Sequence, residues 1–93
     1  MTSAGGEEIG EVQGVVREEM ARVLDLELEE ISADAHFYDE LDGHSLQKVE
    51  LFARLEERFG LDFLDTETAS LHTLAGCVRL VLSKLDPTEA NRA

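Results

Sequence analysis

The chain has 93 residues, with 21 acidic and 8 basic side chains and a net charge of −13. A chain of this length supports one modest core, which disfavours an enzyme with a deep, enclosed active site. Its charge disfavours nucleic acid and anionic membranes, because both are bound chiefly through Lys and Arg. The acidity favours partners with basic surfaces, although solubility alone would also explain it.

The cysteine count and the hydropathy exclude further classes. Cys77 is the only cysteine, so an internal disulfide and a cysteine-rich metal site are excluded. The spacing of Cys77 from His36, His44 and His72 matches no standard ligand pattern, and we predict no metal site. No apolar run approaches the ~20 residues that span a bilayer, and residues 1–8 lack the features of a signal peptide. We expect a cytoplasmic monomer that binds neither nucleic acid nor membrane.

The first half of the chain predicts one helix and one long loop. Apolar residues spaced three and four apart predict a helix from about Glu7 to Leu24, after a flexible N-terminus at residues 1–6. Residues 25–44 show no sustained helical period. A loop of ~20 residues in a compact domain is usually functional or internally packed. Because apolar residues are scattered along this loop, we expect it to be pinned across the helices.

The second predicted helix has more apolar surface than a core requires. It runs from Ser45 to Phe59 and is followed by Gly60, a residue typical of the position just past a helix. One strip of apolar residues on this helix would face the core. A second strip adjoins it and consists of Leu46, Val49 and Ala53. This second apolar strip is wider than folding requires.

The remaining pattern predicts a short helical turn at 65–69 and a last helix at 72–85, which Asp86-Pro87 ends. Residues 87–93 are predicted to be a flexible tail. The fold prediction is therefore all-α, a four-helix bundle of three long helices and one short one within a domain at 7–86. The predicted core consists of Val12, Val16, Phe37, Leu51, Leu55, Phe59, Leu74, Val78 and Leu82.

The boundary between the long loop and the second helix carries the most informative string, Asp42-Gly43-His44-Ser45-Leu46. The simplest interpretation of Ser45 is a helix cap, whose hydroxyl accepts hydrogen bonds from exposed amides. The same position suits a phosphate, because free amides and the helix dipole favour an anion by roughly 0.3–1 kcal/mol. Gly43 lacks a side chain, so we expect another protein to approach the hydroxyl closely.

Residues 37–46 resemble the modification motif of phosphopantetheine-dependent carrier proteins. The resemblance continues through 49–51 and 55–60, which are similar to the second helix of acyl carrier proteins. Residues 31–34 are similar to the anchor of the long first loop in that family, and 71–74 to the start of its last helix. These segments in one register cover most of the chain, whereas Gly-His-Ser-Leu alone would be a weak signal.

The resemblance implies an acyl-carrier-type bundle with no enzymatic activity of its own. It implies that a phosphopantetheinyl transferase moves 4′-phosphopantetheine from coenzyme A onto Ser45, whose arm then holds cargo as a thioester. An adenylating enzyme or acyltransferase would load the cargo, and downstream synthase or tailoring enzymes of nonribosomal peptide or polyketide metabolism would use it. The residues expected to contact partners are Asp42, His44, Leu46, Val49, Glu50, Glu56 and Glu57. The plain alternative is a solvated face, on which Glu50 pairs with Arg54.

The match departs from the family in ways that affect the cargo class. Acyl carriers usually have Asp immediately before the serine, whereas this chain has His44. Histidine after glycine is typical of peptidyl carriers, although those commonly read Gly-Gly-His-Ser and this chain has Asp42 at the first position. The second helix and the acidity favour the acyl class. Both classes stay open, and we prefer a discrete aminoacyl or peptidyl carrier.

Other site classes fit less well. A calcium-binding hand aligned on Gly43 would place Tyr38 and Val49 at ligand positions, and neither coordinates calcium. A hydrolase elbow requires glycine where this chain has Gln47, and no residue is evident that would orient His44 as a base. The remaining alternative is an unmodified helical docking or adaptor module that binds a partner through the second-helix surface.

Overall fold

The structure is a computed structural model that describes the backbone of residues 4–85 and the side chains of residues 9–85. Within that range all regular structure is helical, which confirms the all-α prediction. A 3₁₀ helix at Leu28–Glu30 lies in the long first loop. The α-helices are α1 at Ala4–Leu24, α2 at Ser45–Phe59, α3 at Asp65–Thr68 and α4 at Leu74–Leu85. The predicted flexibility of residues 1–3 and 87–93 falls outside the described residues.

Helix α2 starts and stops at the predicted residues, whereas α1 and α4 begin elsewhere. Helix α1 begins at Ala4, three residues before the predicted start. Periodicity gave no signal there, because Ala4 and the two glycines after it have no large apolar side chain. Helix α4 begins at Leu74, two residues after the predicted start. Thr73 explains this difference, since its Oγ1 accepts the N–H of Gly76 at 3.0 Å, as a capping side chain does.

The core forms where α1 packs against α4 and α2. Most of the predicted core is buried, but Phe59 and Leu82 are only partly buried. Val81, the residue just before Leu82 in α4, is fully buried. The core residues confirmed by the structure are Val12, Val16, Phe37, Leu51, Leu55, Leu74 and Val78, and it adds Met20, Ala21, Leu24, Ile31, Phe52, Cys77 and Val81.

A buried carboxylate joins α1 to α2. Glu19 is only 3% exposed although it is charged. It forms ion pairs with Arg58 and, at 3.5 Å, with Arg54, both of which lie on α2. A buried charge is tolerated when it is paired and hydrogen-bonded in this way. These pairs therefore help fix the orientation of α2, the helix that begins with Ser45.

The described helices include none with the length and apolar character needed to cross a bilayer.

Candidate functional site

The end of the long loop is held against the core by Phe37. Its side chain is 2% exposed, and its N–H donates to the carbonyl of His72 at 2.6 Å. The carbonyl of Phe37 accepts the N–H of Gly43 at 2.8 Å. The loop therefore connects the segment just before α4 to the residues that immediately precede Ser45, and it is packed rather than loose, as the scattered apolar residues predicted.

Asp42 and Gly43, which lie shortly before α2, occupy positions that only some amino acids can take. Asp42 has φ 58°, in the left-handed region that Asp tolerates better than most non-glycine residues. At Gly43, a Cβ atom would collide with the ring of Phe37. The sequence predicted Gly43 as an opening for an approaching protein, but the structure shows that its first requirement is internal packing.

Ser45 is the first residue of α2 and is exposed to solvent. His44, with extended backbone, occupies the capping position, and its N–H donates to Oε1 of Gln47 at 2.8 Å. Nε2 of Gln47 in turn donates to the carbonyl of Val23 at 3.3 Å, which ties the start of α2 to α1. Within the described part of the chain, no hydrogen bond engages the Ser45 hydroxyl. The helix-cap interpretation of Ser45 is therefore wrong.

The second apolar strip is exposed beside this serine. Leu46 is 79% exposed and Val49 is 65% exposed, so the fold does not use either side chain in its core. Ala53 is exposed too. Leu64, just before α3, is 63% exposed and was not predicted as a candidate. Leu64 lies in a short connection without helical periodicity, so the sequence pattern did not identify it as a candidate.

The acidic candidates on α2 divide into three kinds. Glu57 is exposed, and no ion pair engages it among the described residues. Glu50 is exposed and forms the predicted pair with Arg54, at 3.2 Å. Glu56 is half-buried, and its Oε2 accepts the N–H of Phe63 at 2.8 Å. That bond directs Glu56 toward the protein, so it offers less free charge than Glu57. Outside α2, Asp42 and His44 are both exposed.

A groove of about 500 Å³ runs between α2, α3 and the end of the long loop, and Ser45 lies on its wall. The sequence did not predict it, because its walls come from segments that are distant in the chain. The Ser45 groove is lined mostly by apolar and aromatic side chains, with one buried cation. Its lining includes Tyr38, Lys48, Val49, Phe52, Glu56, Phe63, Asp65 and Ala69.

Two imidazoles stack behind this groove. The rings of His36 and His72 have centroids 4.9 Å apart, and the ring of Tyr38 lies 5.4 Å from that of His72. Nδ1 of His72 is buried without a hydrogen-bond partner in the described chain. Burial lowers the pKa of His72, and the charge of Lys48 and the proximity of His36 lower it further, against a smaller opposing effect of Asp39. The lowered pKa of His72 favours its neutral form, and its ring packs against those of His36 and Tyr38.

Cys77 is buried in the core, where desolvation raises the pKa of its thiol to about 12. It is therefore a packed apolar residue and not a nucleophile. Over residues 9–85, no group of three or more His, Cys, Asp or Glu side chains is placed to hold a metal ion.

Residues 14–81 match the protein family described as "Phosphopantetheine attachment site". The chain is 40% identical over 73 residues to the "Polyketide-8 synthase acyl carrier protein 2" of Streptomyces avermitilis, which covers 78% of this chain and 84% of that protein. It is 34% identical over 71 residues to an "Acyl carrier protein" of Petrotoga mobilis, which covers 76% of this chain and 84% of that protein. A solved acyl carrier protein from Enterococcus faecalis superposes with a TM-score of 0.69 at 22% identity, over 82% of this chain and 96% of that one.

The fold and the match over most of the chain define a carrier protein of the helical-bundle type. The chain belongs to the family of phosphopantetheine-dependent carriers, and its prosthetic group is a covalently attached 4′-phosphopantetheine. The residues present fit such an arm. An exposed, unengaged hydroxyl stands at the start of a 15-residue helix, and a groove with aromatic walls opens beside it.

The contact of Gly43 with Phe37 predicts a specific loss of stability. We expect Gly43→Ala to lower the free energy of unfolding by about 1–3 kcal/mol, because the buried ring must move to admit the new methyl group. Urea denaturation followed by circular dichroism measures this. The matched control is Gly14→Ala in α1, where a Cβ meets nothing within 4 Å, and which should stabilise by roughly 0.5–1 kcal/mol. Equal effects at both glycines would contradict the packing role of Gly43.

The lowered pKa of His72 predicts a loss of stability on acidification. As pH falls through the ordinary histidine pKa of about 6.5, the unfolded chain takes up a proton at His72 before the folded chain does. The contribution of His72 is therefore fully present above that pH and declines below it. Thermal unfolding of wild type and His72→Gln at pH 7.5 and 5.5 measures this, with the exposed His44→Gln as control. We expect the drop in melting temperature between pH 7.5 and pH 5.5 to be smaller in His72→Gln than in wild type or His44→Gln. An unchanged drop in His72→Gln would argue that His72 does not cause the loss of stability.

Proposed function

We propose that Ser45 carries the 4′-phosphopantetheine arm and that the protein presents thioester-bound acyl groups to biosynthetic enzymes. The observation that supports this most directly is the exposed hydroxyl at the first position of α2, which no described residue engages. The residues before it are fixed by Phe37, so a visiting transferase meets a defined geometry. When bound, the arm supplies a terminal thiol that holds cargo as a thioester.

Loading of the arm requires a phosphopantetheinyl transferase and coenzyme A. The serine oxygen forms a bond to the phosphorus that bears pantetheine, the pyrophosphate bond of coenzyme A breaks, and adenosine 3′,5′-bisphosphate leaves. The serine proton is released to a base of the transferase. The amides of the first turn of α2 and the helix dipole favour the phosphate that remains on Ser45. The carrier itself makes and breaks no bonds in this scheme.

Ser45→Ala should abolish the addition of one phosphopantetheine mass. The test coexpresses the chain with a broad-specificity phosphopantetheinyl transferase and measures intact mass. The matched control is Ser32→Ala, which changes another exposed serine, in the long loop before α2, and should leave the addition intact. A wild type that stays unmodified with several transferases would support the helical docking module instead.

For the cargo we favour the acyl class, of the polyketide type. The Streptomyces avermitilis relative is by its name a polyketide synthase acyl carrier protein, and it is 40% identical to this chain. This reverses the preference that His44 suggested. The aminoacyl or peptidyl class stays as the second candidate, because His44 occupies the position where acyl carriers usually have Asp. The same mass measurement separates the two: an acyltransferase with an acyl-coenzyme A should load the arm, whereas an adenylating enzyme with an amino acid and ATP should not.

We further propose that partners dock on the surface around Ser45, through Leu46, Val49, Asp42 and His44, with charge supplied by Glu50, Glu57 and, to a smaller extent, Glu56. Exposed leucine and valine beside exposed acids form a small, mixed surface. Such surfaces suit contacts that release quickly, because exposed charge speeds encounter without a large dry interface.

Charge reversal near Ser45 should slow modification more than charge reversal far from it. We expect Glu50→Lys to lower the rate of transferase modification roughly 2- to 10-fold at low salt, with the difference fading as added salt screens it. The control is Glu11→Lys, which changes the net charge equally. Glu11 lies in α1 twelve residues before Val23, the residue that accepts the Gln47 hydrogen bond at the start of α2, and is therefore about 18 Å along the helix from it. Equal slowing by both variants would show that only net charge matters.

A further inference from the structure

Lys48 is a buried cation without a buried counter-charge. It lies in α2, one turn after Ser45, and is only 8% exposed. Several other cations of this acidic chain pair with carboxylates; Arg54 and Arg58 pair with Glu19, and Lys84 pairs with Glu67 at 2.9 Å. Among the described residues, no carboxylate lies within ion-pairing distance of the Lys48 ammonium. Its burial in the Ser45 groove therefore calls for an explanation beyond a surface ion pair.

The protein satisfies only part of the hydrogen-bonding capacity of Lys48. Its Nζ donates to the carbonyl of Ala69 at 3.3 Å and lies 5.6 Å from the centroid of the Tyr38 ring. An ammonium has three N–H donors, so one protein acceptor leaves capacity for others. Water supplies acceptors while the groove is open. A guest that displaces this water must replace them, because a buried charge without hydrogen bonds is costly.

We propose that Lys48 is a specificity-determining residue that makes the Ser45 groove select guests with a carbonyl oxygen over saturated chains. This proposal rests on the proposed attachment of the arm to Ser45, because the tether then begins on the wall of the groove. The rings of Phe52 and Phe63, with centroids 5.4 Å apart, supply apolar contact for the carbon skeleton of the guest. Lys48 supplies the donor for its oxygen. A saturated chain would displace water from the ammonium without supplying a hydrogen-bond acceptor in its place.

The charges around the groove favour a neutral carbonyl over a carboxylate. Glu56 and Asp65 also line the groove, and the chain as a whole carries −13. A free carboxylate would therefore meet like charge at the rim while pairing with one cation. A ketone or amide carbonyl accepts the Lys48 hydrogen bond without that repulsion. The thioester carbonyl is present on every acyl cargo and so does not distinguish one cargo from another. Two sources supply such an oxygen: the amides of the arm itself, and an oxo group on the cargo.

The experiment compares four forms of the protein: unmodified, carrying the arm alone, and loaded with acetoacetyl or butyryl groups from the matching coenzyme A thioesters. The two acyl chains have equal length and differ by one oxo group. Nuclear magnetic resonance follows the side-chain signals of Lys48 and the amide signals of Ala69 and Phe63. We expect the acetoacetyl form to shift these signals more than the butyryl form. A shift that is already complete with the arm alone would support the proposal with the arm as the source of the oxygen.

Lys48→Met keeps an unbranched side chain in the groove but removes the donor. We expect it to lower the equilibrium constant for groove occupancy by the acetoacetyl form roughly 2- to 10-fold, the factor for one net hydrogen bond, and to leave the butyryl form little changed. The matched control is Arg79→Met, which removes an exposed cation on α4 and should change neither. Identical Lys48 signals in all four forms of the wild type would overturn the proposal. A Lys48→Met protein that still prefers the acetoacetyl group over the butyryl group would overturn it too. Intact mass shows separately whether the arm and cargo are attached, so a failure of attachment is distinguished from a failure of selection.

Discussion

The anchoring of Phe37 is the constraint on which the site depends. Its ring fills the core, its N–H binds the last segment before α4, and its carbonyl binds Gly43, two residues before Ser45. A loop of about twenty residues would otherwise leave the start of α2 undefined, since chain entropy opposes any single arrangement. With Phe37 in place, the cost of ordering the loop is offset by core packing. The serine can then be exposed to solvent and still be presented in one orientation.

The carboxylates of this chain divide into those held by internal contacts and those left to solvent. Glu19 is buried and satisfied by arginines from α2, and Glu56 is bonded to the connection after that helix. Glu57 is left to solvent, and Glu50 is shared with Arg54. A count of acids in the sequence treats these carboxylates as equal. The structure separates them because hydrogen-bond partners come from other segments of the chain.

Sequence predicted the bounds of α2 and most of the core, because periodicity and the glycine after Phe59 report local structure directly. It placed Leu82 in the core where Val81 is fully buried, since adjacent apolar residues in a helix differ only in which neighbours they face. It also assigned Gly43 to outside access. The collision with Phe37 depends on a contact across six residues of irregular backbone, which no period describes. The Ser45 groove and the burial of Lys48 were missed for the same reason: several segments meet there.

The inert thiol in the core has a practical consequence for the whole molecule. Cys77 is the only cysteine in the chain, and the folded state withholds it from electrophiles. A maleimide or iodoacetamide reagent applied to the native carrier would thus react at one place, the end of the arm. The polypeptide also has no sulfur nucleophile of its own to intercept a thioester in transit.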